Sequence, residues 1–151
     1  MIRIVIVDDH PLIVQALVGS FALEDDIEVI DTFSDGADLL SRLTHLSPDV
    51  LLLDLKVPNL DPLSLVASLR EESPSTKVAI ITAANDPVLL RRLLDAGATG
   101  IQLKTDGQDP AEMVRAVHRG SLYLSAEAAQ LTHGSVTPQV GLSLRNRTLL
   151  D

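Results

Sequence analysis

Val50-Leu51-Leu52-Leu53-Asp54 is the stretch on which the fold turns. Four apolar residues without polar alternation predict a short strand buried on both faces, and such strands occur in parallel sheets covered by helices. Working outward, the same pattern recurs. Ile2 to Val7 is a β-branched run that stops at Asp8-Asp9, Ile27 to Thr32 predicts a second strand, Val78 to Ile81 closes at Thr82, and Gly100 to Leu103 precedes Lys104. Helical spacing fills the intervals. Pro11 opens a helix over 11–22, since a first-turn proline loses no hydrogen bond there. Ala37, Leu40 and Leu43 mark a second helix, with Ser34 or Asp35 as its cap. Residues 63–70 predict a third, and Asp86-Pro87 opens a fourth that stops at Ala96-Gly97. Asp109-Pro110 opens a fifth, with Met113, Val114 and Val117 on its apolar face, running to Gly120. Five strand–helix units in this order predict an α/β, doubly wound, five-stranded parallel sheet.

Composition narrows the function. The 151 residues carry 21 acidic and 12 basic side chains, a net charge of −9. Phosphate-backbone binding rests on Lys and Arg, so this segment is not expected to bind nucleic acid by itself. Phe21, Phe33 and Tyr123 are the only aromatic residues, too few for a base-stacking platform. The absence of cysteine removes disulfides, thiolate metal sites and thiol catalysis. Met1-Ile2-Arg3 leads directly into the first strand without a signal-peptide pattern, and no apolar run reaches membrane-spanning length. The expectation is a cytoplasmic protein with no membrane contact. The charge is lopsided: residues 1–75 hold 14 acids against 4 bases, and residues 76–151 hold 7 against 8.

Open α/β sheets place their sites at the carboxyl ends of the strands. Four of those ends carry polar residues the sheet does not require: Asp8 and Asp9, Asp54, Thr82 and Lys104. Singly, each has a plain reading. Asp8-Asp9 could cap a helix, Lys104 could be a solvated lysine, and Thr82 could be an ordinary β-branched strand residue. Asp54 is harder to dismiss, because an uncompensated carboxylate among buried leucines costs several kcal/mol, roughly. All four on one sheet edge predict a phosphoryl site. Three carboxylates repel unless a cation lies among them. Oxygen donors favour a hard ion such as Mg2+, and a lysine meets phosphate as a point charge.

Val7-Asp8-Asp9-His10, Leu53-Asp54-Leu55-Lys56-Val57-Pro58, Ile81-Thr82-Ala83-Ala84 and Leu103-Lys104 together resemble the receiver domain of two-component response regulators. The start Asp8-Asp9-His10-Pro11 and the segment Gly120 to Ser125 are most similar to the NarL/FixJ (LuxR-type) subgroup. The resemblance covers residues 1–120 and implies a flavodoxin-like (βα)5 receiver with strand order 2-1-3-4-5. It implies that Asp54 is the phosphoacceptor for a sensor histidine kinase, and that Mg2+ is held by Asp9, Asp54 and the backbone carbonyl of Lys56, with Asp8 acting through water. Lys104 would pair with the phosphoryl oxygens, and Thr82 would move to hydrogen-bond them. Ile101 stands where the family often has an aromatic switch residue. Thr105 replaces a common proline, and Asp61-Pro62 replaces an Asp-Gly.

Residues 121–151 are expected to be a linker or tail, with Ser125 capping a short Ala-rich helix and no complete output domain. DNA contact is expected only through a C-terminal output domain outside these residues. Arg91, Arg92, Arg115 and Arg119, set against the acidic first half, predict a homodimer, weak or rearranged without phosphate, involving the helix at 110–119 and either the first helix or the fourth. The protein is thus expected to be a signalling module controlling transcription, rather than an enzyme acting on other molecules. Two alternatives are a Mg2+-dependent phosphatase or phosphotransferase with an Asp nucleophile, and a stand-alone receiver that works by protein–protein contact. Lys56 occupies the position where such phosphatases carry a second, acid/base Asp.

Overall fold

The computed structural model describes residues 1–107 and 109–133. The elements are β1 (Ile2–Val7), α1 (Pro11–Phe21), β2 (Ile27–Phe33), α2 (Leu39–Leu46), β3 (Val50–Leu53), α3 (Pro62–Glu72), β4 (Lys77–Thr82), α4 (Pro87–Ala96), β5 (Gly100–Leu103), α5 (Pro110–His118), β6 (Tyr123–Leu124) and α6 (Ala126–His133). A 3-10 turn, Lys104–Asp106, follows β5. The sheet order is β2-β1-β3-β4-β5-β6, with every neighbouring pair parallel. The expected order therefore holds, with one strand added beside β5.

The winding follows from side-chain alternation, since successive residues of a strand face opposite sides. Val5, Val7, Leu51, Leu53, Val78, Ile80, Ile101 and Leu103 pack on one side with Leu43, Leu69, Leu90 and Ala128 from α2, α3, α4 and α6. Ile4, Ile6, Val50, Leu52, Ala79 and Ile81 pack on the other with Leu17 and Phe21 of α1 and Met113, Val114 and Val117 of α5. β3 is fully buried on both sides, as an unbroken apolar run requires.

Three helices start at an Asp-Pro pair. The side chains of Asp61, Asp86 and Asp109 accept hydrogen bonds from the first-turn N–H groups of α3, α4 and α5, where each satisfies an orphan donor. α2 starts later than expected, at Leu39, with Asp38 in a left-handed conformation. Neither Ser34 nor Asp35 caps it. Asp35 Oδ1 instead accepts from Ala37 N at 2.7 Å, and Gly36 N donates to Pro58 O at 2.8 Å. Those residues serve a loop-to-loop contact, and Ala37 lies ahead of the helix.

Residues 121–133 join the fold. Tyr123 N donates to Thr99 O and Ser125 N to Ile101 O, each at 2.9 Å, which builds β6. Ala128 of α6 is fully buried in the core, Leu131 packs against the same core, and Arg91 of α4 donates to Thr132 O at 2.9 Å. The rest of the expected tail, 134–151, lies outside the described residues.

Arg115 on α5 does not stand free for self-association. It pairs with Glu24 and, at 2.9 Å, with Asp26, fastening α5 to the turn between α1 and β2. The Arg115 hydrogen bond holds the Asp26 carboxyl down at about 2. A depressed carboxylate stabilises the fold fully above its unfolded value, about 3.9, and that stability fades as the pH falls toward the folded value. Arg115→Ala is thus expected to melt slightly below wild type at neutral pH, with the gap closing below about pH 4. A gap that stays constant into acid would exclude this account.

Candidate functional site

β1 and β3 each end in a carboxylate because the ladder runs one residue past the strand: Asp8 N donates to Phe33 O at 3.0 Å, and Asp54 N donates to Val7 O at 2.9 Å. The backbone thereby fixes both residues on one edge. Asp8 is 1% exposed and Asp54 2%. Leu55 N donates to Asp54 Oδ1 at 2.8 Å, which sets the plane of that carboxylate.

Lys104 comes to them from the end of β5. Its Nζ lies 3.0 Å from Asp8 Oδ2 and 3.4 Å from Asp54 Oδ2. Burial alone would raise the Asp8 carboxyl. The His10 backbone N–H and side chain and the Lys104 ammonium outweigh it and hold the group below the usual carboxylate value, as donors to the charged form do.

One lysine shared by two buried carboxylates, with Asp9 beside them, leaves an excess of negative charge. Ligand-capable atoms of Asp8, Asp9, His10 and Asp54 all lie within 4.8 Å of one another. Asp9 Oδ1 is buried and accepts no hydrogen bond. A buried carboxylate oxygen without a donor is costly, and a divalent cation is the partner that removes the cost. The donor set therefore fits a metal ion.

Thr82 closes β4 and is fully buried. By alternation its side chain falls on the face of Ile80, and Thr82 pairs in register with Leu103. Its hydroxyl accepts a hydrogen bond from Ala84 N at 3.1 Å, tying it to the loop that leads into α4. Ile101 is fully buried on the same face, paired with Ile80 on one side and Leu124 on the other. Lys56 lies exposed on the loop after β3. That loop is held against the one after β2 so closely that a Cβ on Gly36 would lie 2.3 Å from Asn59 O. Gly36→Ala is expected to lower stability by about 2 kcal/mol, because backbone must move to admit the methyl. An unchanged denaturation midpoint would show that the loops separate freely.

The structure thus brings together Asp8, Asp9, Asp54 and Lys104, and sets Thr82 and Ile101 on adjoining strands. It adds His10, quoted in the first motif without a role. The cue in the sequence was a histidine directly after two acids at a strand end, but nothing in that spacing says where the ring turns.

The doubly wound parallel sheet is of the flavodoxin-like type, and carboxylates and a lysine gather at the carboxyl ends of its strands. The sequence matches the response regulator receiver domain family over residues 4–118, and the chain belongs to that family. It is 35% identical over 147 residues to the response regulator GacA of Pseudomonas viridiflava, covering 95% of this chain and 68% of that protein. The signal receiver domain of NarL from Mycobacterium tuberculosis is a structural neighbour with a TM-score of 0.69 and 33% identity, covering 79% of this chain and 94% of that one. The response regulator RcsB in its DNA complex superposes with a TM-score of 0.79 at 26% identity, over 87% of this chain and 67% of that one.

Proposed function

We propose that this receiver takes a phosphoryl group onto the Asp54 carboxylate from the phosphohistidine of a sensor kinase, and passes the change to an output domain that acts on DNA. The observation that carries it is Asp54 itself. It is a carboxylate 2% exposed at the end of a fully buried strand, and it shares the Lys104 ammonium with Asp8. With Asp8, Asp9 and Asp54 gathered around one lysine, the cluster keeps excess negative charge that a cation and a phosphoryl transfer would use.

Phosphoryl transfer depends mainly on positioning and neutralisation of charge. The Leu55 N–H holds the Asp54 carboxylate in one orientation. A carboxylate oxygen forms the new P–O bond as the P–N bond of the phosphohistidine breaks, and the ring nitrogen keeps the electron pair. Asp9, Asp54 and the Lys56 carbonyl, with Asp8 through water, would hold Mg2+, which would supply positive charge to screen these carboxylates from the arriving phosphoryl oxygens. Lys104 already stands between Asp8 and Asp54 and turns to those oxygens.

Thr82 then reads the product. To reach the phosphoryl group its hydroxyl gives up the bond from Ala84 N, which releases the loop into α4. Space left on that face is shared by Ile101, and Ile101 O holds Ser125 N at the start of α6. The signal thereby reaches β6 and α6, the elements that lead toward residue 134 and beyond. RcsB is seen bound to DNA in its solved complex, which supports DNA as the eventual target. A homodimer and a cytoplasmic location complete the proposal. Among the described residues no helix is long and apolar enough to cross a membrane.

The enzyme alternative requires an organic phosphate ester bound beside Asp54. Two concavities of about 500 and 150 Å³ are lined by residues of β2, α2, α3 and the loops beside them, and neither of these two includes Asp54 or Lys104. The test is to incubate the protein with acetyl phosphate and Mg2+ and record intact mass. One added phosphoryl mass without steady-state turnover of a phosphomonoester is expected. Continuous turnover would favour the enzyme instead.

A further inference from the structure

We propose that α6 is a latch, docked on α4 while the Thr82 hydroxyl is bonded to Ala84 N and undocked from it when Asp54 carries a phosphoryl group. This presupposes that Asp54 is the phosphoacceptor, and adds a helix that its phosphorylation releases.

α6 does not hold itself together. It is eight residues long, and an isolated helix of that length is marginal in water. Its helical state is therefore supplied by what it touches. The apolar share of that contact is small: Ala128 is fully buried, and Leu131 packs half-buried against the core. The polar share is divided between two supports. At the start of α6, Ser125 N donates to Ile101 O at 2.9 Å, and Ser125 Oγ accepts from Leu103 N at 3.3 Å. The Thr105 hydroxyl, next to Lys104, donates to Glu127 Oε1 at 3.3 Å. At the far end Arg91 of α4 donates to Thr132 O at 2.9 Å, a last-turn carbonyl of the kind a helix cannot satisfy itself.

The two supports respond differently to the site. β5 is buried along its whole length and stays in the sheet. α4 follows a loop that Ala84 N ties to the Thr82 hydroxyl, and Arg91 lies one turn into that helix. When Thr82 turns to the phosphoryl group and drops that bond, α4 is the support that shifts, and its guanidinium goes with it. α6 then loses its far fastening first and swings about Ser125. A helix held by one alanine, half a leucine and a few hydrogen bonds stands at the low-stability end from which moving elements are drawn.

The test follows amide hydrogen exchange at residues 129–133 of the full chain in Mg2+, with and without beryllofluoride as a phosphoryl mimic. Fluorine NMR reports whether the mimic is bound, and the amides of Leu51, Leu52 and Leu53 report global opening. In wild type the mimic is expected to speed exchange in α6 about tenfold while the reference amides become no faster. Arg91→Ala is expected to speed it about tenfold without the mimic, since a bond from a charged donor is lost, and to gain little more when the mimic is added. Arg91→Lys keeps a charged donor and is expected to lie closer to wild type. Bound mimic with unchanged exchange in α6, or exchange in Arg91→Ala equal to wild type, would overturn the latch and leave Asp54 standing. No bound resonance in wild type would remove the phosphoacceptor reading and the latch together.

Discussion

Asp54→Asn is expected to abolish the gain of one phosphoryl mass from acetyl phosphate and Mg2+. The variant keeps the shape of the side chain, its place at the end of β3 and an oxygen able to accept the Leu55 N–H at the position now 2.8 Å away. It loses the anionic nucleophile and one of the two carboxylates facing Lys104. Removing that charge relieves repulsion with Asp8 and Asp9, so the fold should not suffer. The melting temperature of the variant is expected to equal or exceed that of wild type. Loss of labelling can then be assigned to chemistry rather than unfolding. Equal labelling of the two proteins would move the phosphoacceptor elsewhere and end the proposed role of Asp54.

The sequence exposed this site because charge at the end of an apolar strand is expensive. Leu51-Leu52-Leu53-Asp54 and Ile4-Val5-Ile6-Val7-Asp8 are each legible as a buried run stopped by an acid, and a parallel sheet puts such stops on one edge. Helix starts were legible wherever Asp preceded Pro. What escaped notice lacked a local signal. Tyr123–Leu124 is two residues long, too short for any periodicity, and it is a strand only because Thr99 O and Ile101 O lie beside it. The late start of α2 depends on Gly36 meeting Pro58, a contact 22 residues away in sequence. Charge counting placed Arg115 on a surface for self-association, but counting cannot see that Asp26 and Glu24 lie across from it on the same chain. The ring of His10 is the same kind of case. Its neighbours Asp8 and Asp9 are local, but Asp54 comes from a different strand.

Lys104→Met is expected to destabilise the protein by about 3 kcal/mol at neutral pH without divalent ions, because removing one partner of a buried pair leaves the other charge uncompensated. Methionine keeps an apolar stem of similar length, so the loss reflects charge rather than packing. The lysine side chain is 18% exposed and the Asp8 and Asp54 side chains are 1% and 3% exposed, so water can do little for the carboxylates left behind. Millimolar Mg2+ should restore most of the loss, since binding to the folded state alone stabilises it. Wild type should gain less from the same ion, because Lys104 already neutralises part of the cluster. Acid provides an independent check. Asp8 titrates below the usual carboxylate value in wild type, partly through Lys104. Its contribution is complete above the unfolded value of about 3.9 and fades as the pH falls below it. In the variant the carboxyl binds protons more readily, so the gap between the two proteins should narrow as the pH drops. Urea denaturation with and without Mg2+, at neutral pH and near pH 4, measures all four quantities. If the variant matches wild type without Mg2+, or if Mg2+ stabilises both proteins equally, Lys104 is not the counter-charge of the cluster and its proposed partnership with the phosphoryl group loses its basis.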